Sequence, residues 1–302
     1  MRSCKSAEEG PRISLRDTTA PENPAFTPGQ AYWNQRFALR QCTDRIRALS
    51  DTVDNTVSCT LVQLAQFFVM AREFAPDLII ELGRGSGNST CAFLEAANQL
   101  SSPCEIVSIC QSPCWRQVTA PRLLPLVGSS WFEPLQAVEG DILTFDFEPP
   151  VADAKKILLF WDAHGFEIAE CVLGKLLPLI CSKKHIVLTH DMSDLRYCGE
   201  VDPDGAYPLW TGDLNADGRF CIGNVCSKVP QAISILDFVT RNHLTLESAD
   251  HSIHTTIAND KEKHAEMQAV LGDLYSPHAH CFWFTMNEHA GPYKFPAVHS
   301  QL

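Results

Sequence analysis

The sequence predicts an α/β fold: a doubly wound, mostly parallel sheet with helices on both faces, preceded by helices and carrying a long lid loop. Three observations predict it. Short β-rich runs alternate with helical ones from residue 76 onward, the pattern of repeated strand–helix–strand units. The first of those strands runs into a glycine-rich turn that opens a helix. The chain has 302 residues, 45% of them apolar and 20% charged. That is enough to bury a core without staples, and it excludes a mainly disordered, collagen-like or coiled-coil chain.

The elements follow in order. Residues 1–28 are polar and rich in Pro, Glu and Thr, and read as a flexible arm. Residues 29–75 form a helical segment. One or two amphipathic helices are expected over 31–53, and a stronger one where Leu61, Leu64, Phe68 and Ala71 recur at three- and four-residue spacing. Ala75-Pro76 ends it. The main domain, 76–302, then alternates. Strands are expected at Leu78 to Leu82, Glu105 to Cys110, Ala137 to Val138, Lys156 to Trp161 and His185 to Thr189, with a late one at Cys281 to Met286. Helices are expected at Thr90 to Leu100, Glu167 to Ile180 and Ala232 to Asn242. In such sheets ligands sit beyond the carboxyl ends of the strands. Function is therefore expected just after Leu82, Cys110, Asp141, Trp161 and Thr189.

Acidic residues outnumber basic ones 36 to 24, for a net charge of −12. A phosphate-backbone binder carries a basic face, so no nucleic-acid partner is expected. Thirteen cysteines are scattered without a CxxC pair, which argues against a zinc ribbon and for thiols in a reducing compartment. The first 30 residues hold no apolar signal core, and the longest uncharged helical stretch is too short to cross a bilayer. The expectation is a cytoplasmic protein without a membrane partner. Whether it forms a homo-oligomer is not readable.

The first strand continues as Glu81-Leu82-Gly83-Arg84-Gly85-Ser86-Gly87-Asn88-Ser89-Thr90. Glycines at every second position permit a tight turn and close approach of a ligand to the backbone. Ser89 or Thr90 is expected to cap the helix, whose amino terminus offers N–H groups to a polar or anionic ligand. The spacing differs from the dinucleotide fingerprint, and the Lys of a P-loop is absent.

Asp162 and His164 follow the fourth strand, and His190 and Asp191 end the fifth. If those strands are neighbours, four polar groups converge. Two carboxylates and an imidazole can hold a divalent ion, with magnesium suiting oxygen-only sites and the imidazole shifting preference toward manganese, iron or zinc. An imidazole can equally serve as a general base. The bland alternative is that strand-end Asp and His residues cap the turns that follow.

The glycine segment resembles motif I of the class I, Rossmann-like, S-adenosylmethionine-dependent methyltransferases. Trp161-Asp162-Ala163-His164-Gly165-Phe166-Glu167 and Leu188-Thr189-His190-Asp191-Met192 extend the resemblance to a cephalosporin hydroxylase-like, sugar O-methyltransferase-like branch, over residues 60 to 195. The resemblance implies S-adenosylmethionine as cofactor. Gly83, Gly85 and Gly87 would line its methionine and ribose portion, together with Ser89. Glu81 would help hold its amino group, and Asp141 would sit near the adenine. Asp162, His190 and Asp191 would form a divalent-metal site, for magnesium or another ion. His164, His190 and Asp191 are the expected catalytic residues. One departure stands out. The second strand ends in Cys110-Gln111 where the family has an acid for the ribose hydroxyls, and only Gln111 remains to bind there.

Residues 193–229 are polar and rich in Gly and Pro, and read as a lid. Tyr207, Trp210 and Phe220 are its aromatics. Within it Asp213-Leu214-Asn215-Ala216-Asp217-Gly218 matches the opening of a calcium loop, but the twelfth position is Asn224 and a turn cluster explains it better. The expected function is methylation of a small-molecule hydroxyl. The alternatives are a catalytically altered binding module on the same fold, a metal-dependent hydroxylase, and, least favoured by the glycine spacing, a nicotinamide oxidoreductase.

Overall fold

A computed structural model describes residues 26–54, 59–190, 213–214, 220–279, 281–287 and 291–298, with the backbone alone for 213–214 and 220–230. Two helices open it, α1 (Pro28–Gln41) and α2 (Thr43–Val53). Pro28, expected to end the arm, is instead the first helical residue. Its fixed φ and absent N–H suit that position, and the Thr27 hydroxyl caps the turn by accepting from Gln30 N at 3.2 Å. Helix α3 (Leu61–Phe74) begins at a capping box between Thr60 and Gln63 and ends at Ala75, in the left-handed region before Pro76.

The chain then alternates: β1 (Leu78–Leu82), α4 (Asn88–Ala97), β2 (Glu105–Cys110), a π-helical turn (Trp115–Thr119) running into α5 (Ala120–Val127), β3 (Leu135–Glu139), α6 (Glu148–Ala152) and β4 (Lys156–Trp161). There follow α7 (Phe166–Cys171), a π turn into α8 (Leu177–Ile180), and β5 (Lys184–His190). A short hairpin, β6 (Asp213–Leu214) with β7 (Phe220–Cys221), precedes the long helix α9 (Ile222–Arg241). Last come β8 (Glu247–Ser248), α10 (Ala249–Ile253), α11 (Lys261–Leu271) and β9 (Cys281–Phe284).

Seven strands form one sheet in the order β3-β2-β1-β4-β5-β9-β8. The first five are parallel, and β9 and β8 join antiparallel. The chain winds outward from β1 through β2 to β3, then returns to place β4 on the other side of β1. The carboxyl ends of β1 and β4 therefore flank a topological switch point, where a crevice opens in such sheets. Two apolar layers cover the sheet. Helices α1–α5, α10 and α11 pack on one face with Ile79, Ile106, Phe160 and Leu188, so the N-terminal helices share their core with late elements. Helices α7–α9 pack on the other with Ile80, Val107, Trp161 and Val187. All five residues of β1 are buried, as expected of a strand covered on both faces.

The lid expectation needs one correction. Helix α9 begins at Ile222 and not at 232, so the connection is shorter than 193–229. Pro230, which closed the loop in the sequence, lies inside the helix. Residues 191–212, including Asp191, Tyr207 and Trp210, lie outside the described residues. So do Asn215 to Gly218 of the Asp/Asn/Gly cluster, and residues 1–25 of the expected arm. The segment after β9 runs along the α7–α9 layer. Asn242 Oδ1 accepts from Lys294 N at 2.6 Å, and Phe295 stacks on Phe238. No disulfide joins the cysteines whose side chains are described, and no helix among the described residues is long and apolar enough to cross a membrane.

Candidate functional site

Gly83, Gly85 and Gly87 all have positive φ, at 95°, 54° and 98°, which is what the turn from β1 into α4 demands of them. Each does something different. A Cβ on Gly83 would lie 2.4 Å from the Asp162 carbonyl oxygen, so this glycine lets the loop meet the end of β4. A Cβ on Gly87 would strike the Trp115 ring at 2.4 Å. A Cβ on Gly85 would meet nothing within 4 Å. Gly85 is thus the glycine that faces open space.

The loop is braced from below. Glu81 is fully buried and accepts from Ser89 Oγ at 2.5 Å, from Thr90 Oγ1 at 2.6 Å and from Ser108 Oγ. Burial pushes its carboxyl above the usual carboxylate range, against the pull of the three hydroxyls and of Arg84. Arg84, 2% exposed, turns under the loop and donates to Ser108 O at 2.6 Å and Val138 O at 3.2 Å. It thereby ties the loop to the ends of β2 and β3. The expected capping role of Ser89 and Thr90 is not what the structure shows. The residue preceding α4 is Gly87, without a side-chain cap, and both hydroxyls turn inward to Glu81. Ser89 and Glu81 therefore present no free polar surface to the crevice. The other expected ligand-binding positions sit along the rim. Gln111 is exposed, Cys110 Sγ accepts from Ser112 N at 3.4 Å, and Asp141 Oδ1 accepts from Leu143 N at 2.9 Å.

Across the switch point lies a chain of polar side chains. His190 ends β5, 3% exposed, against the rings of Phe67 and Phe160 at 6.1 and 6.2 Å. Its Nδ1 is 3.1 Å from Asp162 Oδ1, and its Nε2 is 3.0 Å from Gln63 Nε2. The same Asp162 oxygen is 3.7 Å from His164 Nε2. His164 Nδ1 is 2.7 Å from Gln231 Oε1 on α9. The network therefore runs from α3 on one face of the sheet, over its carboxyl edge, to α9 on the other. Strand pairing accounts for it. Phe160 faces Leu188 and Trp161 faces Thr189 in the β4–β5 register, which brings Asp162 beside His190.

The geometry fixes what each imidazole can do. His190 Nδ1 faces the Asp162 carboxylate and its Nε2 faces the Gln63 amide nitrogen. Both nitrogens of His190 are thereby engaged. His164 Nδ1 lies within hydrogen-bond distance of the Gln231 side-chain oxygen, and its Nε2 lies on the side of Asp162. Asp162, His164 and His190 are brought together as expected. No group of three His, Cys, Asp or Glu side chains among the described residues is arranged to hold a metal ion. Gln63 and Gln231 were not singled out in the sequence. Gln63 carries a readable signal, the Thr60-x-x-Gln63 capping box, but nothing local shows that it meets a residue 127 positions away.

No family model matches the chain, and no curated protein does. Among solved structures, the chain is similar to the S-adenosylhomocysteine-bound methyltransferase PaMTH1 of Podospora anserina, at 20% identity and a TM-score of 0.42, covering 72% of this chain and 88% of that one. It is also similar to the O-methyltransferase TomG of Streptomyces achromogenes, involved in tomaymycin synthesis and in complex with S-adenosylmethionine (16%, 0.42, covering 68% and 81%). The O-methyltransferase from Bacillus cereus in complex with S-adenosylhomocysteine is a third (12%, 0.38, covering 82% and 90%). Likeness at that level assigns neither activity nor substrate.

Proposed function

We propose that the chain is an S-adenosylmethionine-dependent methyltransferase acting on a hydroxyl of a small molecule, with His164 as the general base. One observation carries the reading: an open glycine loop and the His164 imidazole, set between Gln231 and Asp162, lie at the same switch point. Gly85 leaves room that a side chain would take, and the α4 amino terminus directs backbone N–H groups toward it. These features fit the methionine and ribose portion of the cofactor, with Gly83, Gly85 and Gly87 as its cradle and Gln111 and Asp141 at the rim for ribose and adenine. The bound cofactor supplies an electrophilic methyl group. The protein's own share is to hold the acceptor oxygen in line and remove its proton. His164 Nε2 takes that proton, Gln231 holds the ring by Nδ1, and Asp162 faces the developing imidazolium.

The described residues fit a divalent metal poorly. The Nε2 lone pair of His190 is directed at the Gln63 amide, and Asp162 Oδ1 is shared by two imidazoles. A metal at this site would have to displace both bonds, so we derive no step through one. The same occupancy weighs against an iron site built on His164, His190 and a carboxylate. The reading is tested by incubating the protein with methyl-labelled S-adenosylmethionine and a panel of phenols, sugars and polyketides. Label should pass to an acceptor hydroxyl, and His164→Ala should lower turnover by about 100-fold or more with S-adenosylhomocysteine affinity unchanged. Turnover undiminished in His164→Ala removes the base from the account.

A further inference from the structure

We propose that Gln63 is a positioning residue: it locks His190 in the Nδ1–H tautomer and, through that ring, sets the orientation of Asp162. The lock stands on geometry alone, and its consequence for turnover rests on the function proposed above.

Gln63 is the third residue of the capping box. Its Oε1 accepts from Thr60 N at 2.8 Å while Thr60 Oγ1 accepts from Gln63 N at 3.3 Å. A backbone N–H can only donate, so the oxygen of the Gln63 amide must be the atom on Thr60. The opposite atom is then Nε2, and a second backbone group agrees. Nε2 lies 3.4 Å from the Ala279 carbonyl oxygen, which can only accept. Two main-chain groups therefore fix which way this buried amide points.

His190 must answer to that orientation. Its Nε2, 3.0 Å from the Gln63 amide nitrogen, faces a donor and so carries no proton. The ring's proton is on Nδ1, where Asp162 Oδ1 accepts it at 3.1 Å. The ring itself has little freedom, wedged against Phe67 and Phe160. Asp162 thus has one oxygen held at a defined position, and that oxygen is the one beside His164. A helix cap on one face of the sheet thereby positions the carboxylate that serves the base on its edge. Were the amide inverted, His190 would hold its proton on Nε2 and Asp162 would face an unprotonated nitrogen.

The test is the protonation pattern of His190, read by long-range proton–nitrogen correlation in protein labelled with nitrogen-15 histidine, with His190→Gln used to assign the signal. The full chain should show His190 as the neutral Nδ1–H form. Gln63→Glu keeps the shape and the Thr60 bond, since a carboxylate oxygen also accepts from a backbone N–H, but it presents an acceptor where the amide presented a donor. In that variant His190 should acquire a proton on Nε2. A purely structural glutamine would leave the pattern as it was. An Nε2–H form in the unaltered protein, or an unchanged pattern in Gln63→Glu, overturns the lock. If Gln63→Glu does not fold, the unaltered protein's spectrum still decides. Failure of the methyltransferase reading would show separately, as absence of S-adenosylhomocysteine binding, and would leave the tautomer result standing.

Discussion

His185 and His190 stand on the same strand, five residues apart and on opposite faces of it, and both are buried. At the amino end of β5, His185 spends both nitrogens on main chain. Nδ1 donates to Lys183 O at 2.8 Å and Nε2 accepts from Met286 N at 3.0 Å. At the carboxyl end, His190 spends both on side chains that belong to other elements, Asp162 and Gln63. His185 fastens the start of β5 to the chain leaving β9. His190 passes a constraint from a helix cap to a carboxylate. Two residues of one type, equally hidden, thus do different work, and what separates them is whether their partners can change. Backbone partners cannot titrate or be replaced; an aspartate and an amide can.

The comparison breaks most visibly at Asp162. Asp162→Asn removes the charge facing His164 and the obligate acceptor at His190 Nδ1. It should lower methyl transfer by about 100- to 1,000-fold while S-adenosylhomocysteine still binds. Steady-state rates beside a binding isotherm check this, and a rate within a few-fold of the unaltered protein's would detach the network from methyl transfer.

The contrasting change is His185→Leu. It leaves the Met286 N–H without its imidazole acceptor inside the protein, while the Lys183 carbonyl keeps the Asn287 Nδ2 donor at 2.7 Å. The expected loss is about 1–3 kcal/mol of stability, visible as a lower denaturant midpoint, with cofactor affinity of the folded protein intact.

A smaller effect sharpens the contrast. Burial holds His185 below the usual imidazole range, with the backbone carbonyl of Lys183 pulling the other way. The unfolded chain takes up this proton near about pH 6.5 and the folded chain only at lower pH. The contribution of His185 is therefore present above about pH 6.5 and lost as pH falls from there toward its folded value. Stability between about pH 7 and pH 5 should decline more steeply in the unaltered protein than in His185→Leu. Equal slopes would mean that the ring takes up its proton as readily in the fold as in the unfolded chain.

Much of the scaffold was legible because local signals agreed with the tertiary ones. The strands at 78–82, 105–110 and 156–161 appear with the bounds their apolar runs give. The glycine turn, Asp162, His164 and His190 were readable because strand ends are where such a sheet gathers its chemistry. Three things were not. The start of α9 was hidden by Pro230, a residue that ordinarily ends a helix. The direction of the Ser89 and Thr90 hydroxyls was hidden because they could cap the helix or turn beneath it, and the buried Glu81 decides for the second. Gln63 and Gln231 were hidden because their partners lie 127 and 67 positions away. A glutamine in a capping box has a complete local explanation that conceals its distant one.

The central claim is that the glycine loop at the switch point holds an S-adenosyl cofactor, and titration calorimetry with S-adenosylhomocysteine tests it most directly. The unaltered protein should bind with micromolar affinity. Gly85→Val, which adds bulk where the protein itself leaves space, should lose at least about tenfold of that affinity while its circular dichroism stays folded. No binding by the unaltered protein, or equal binding by Gly85→Val, would contradict the account.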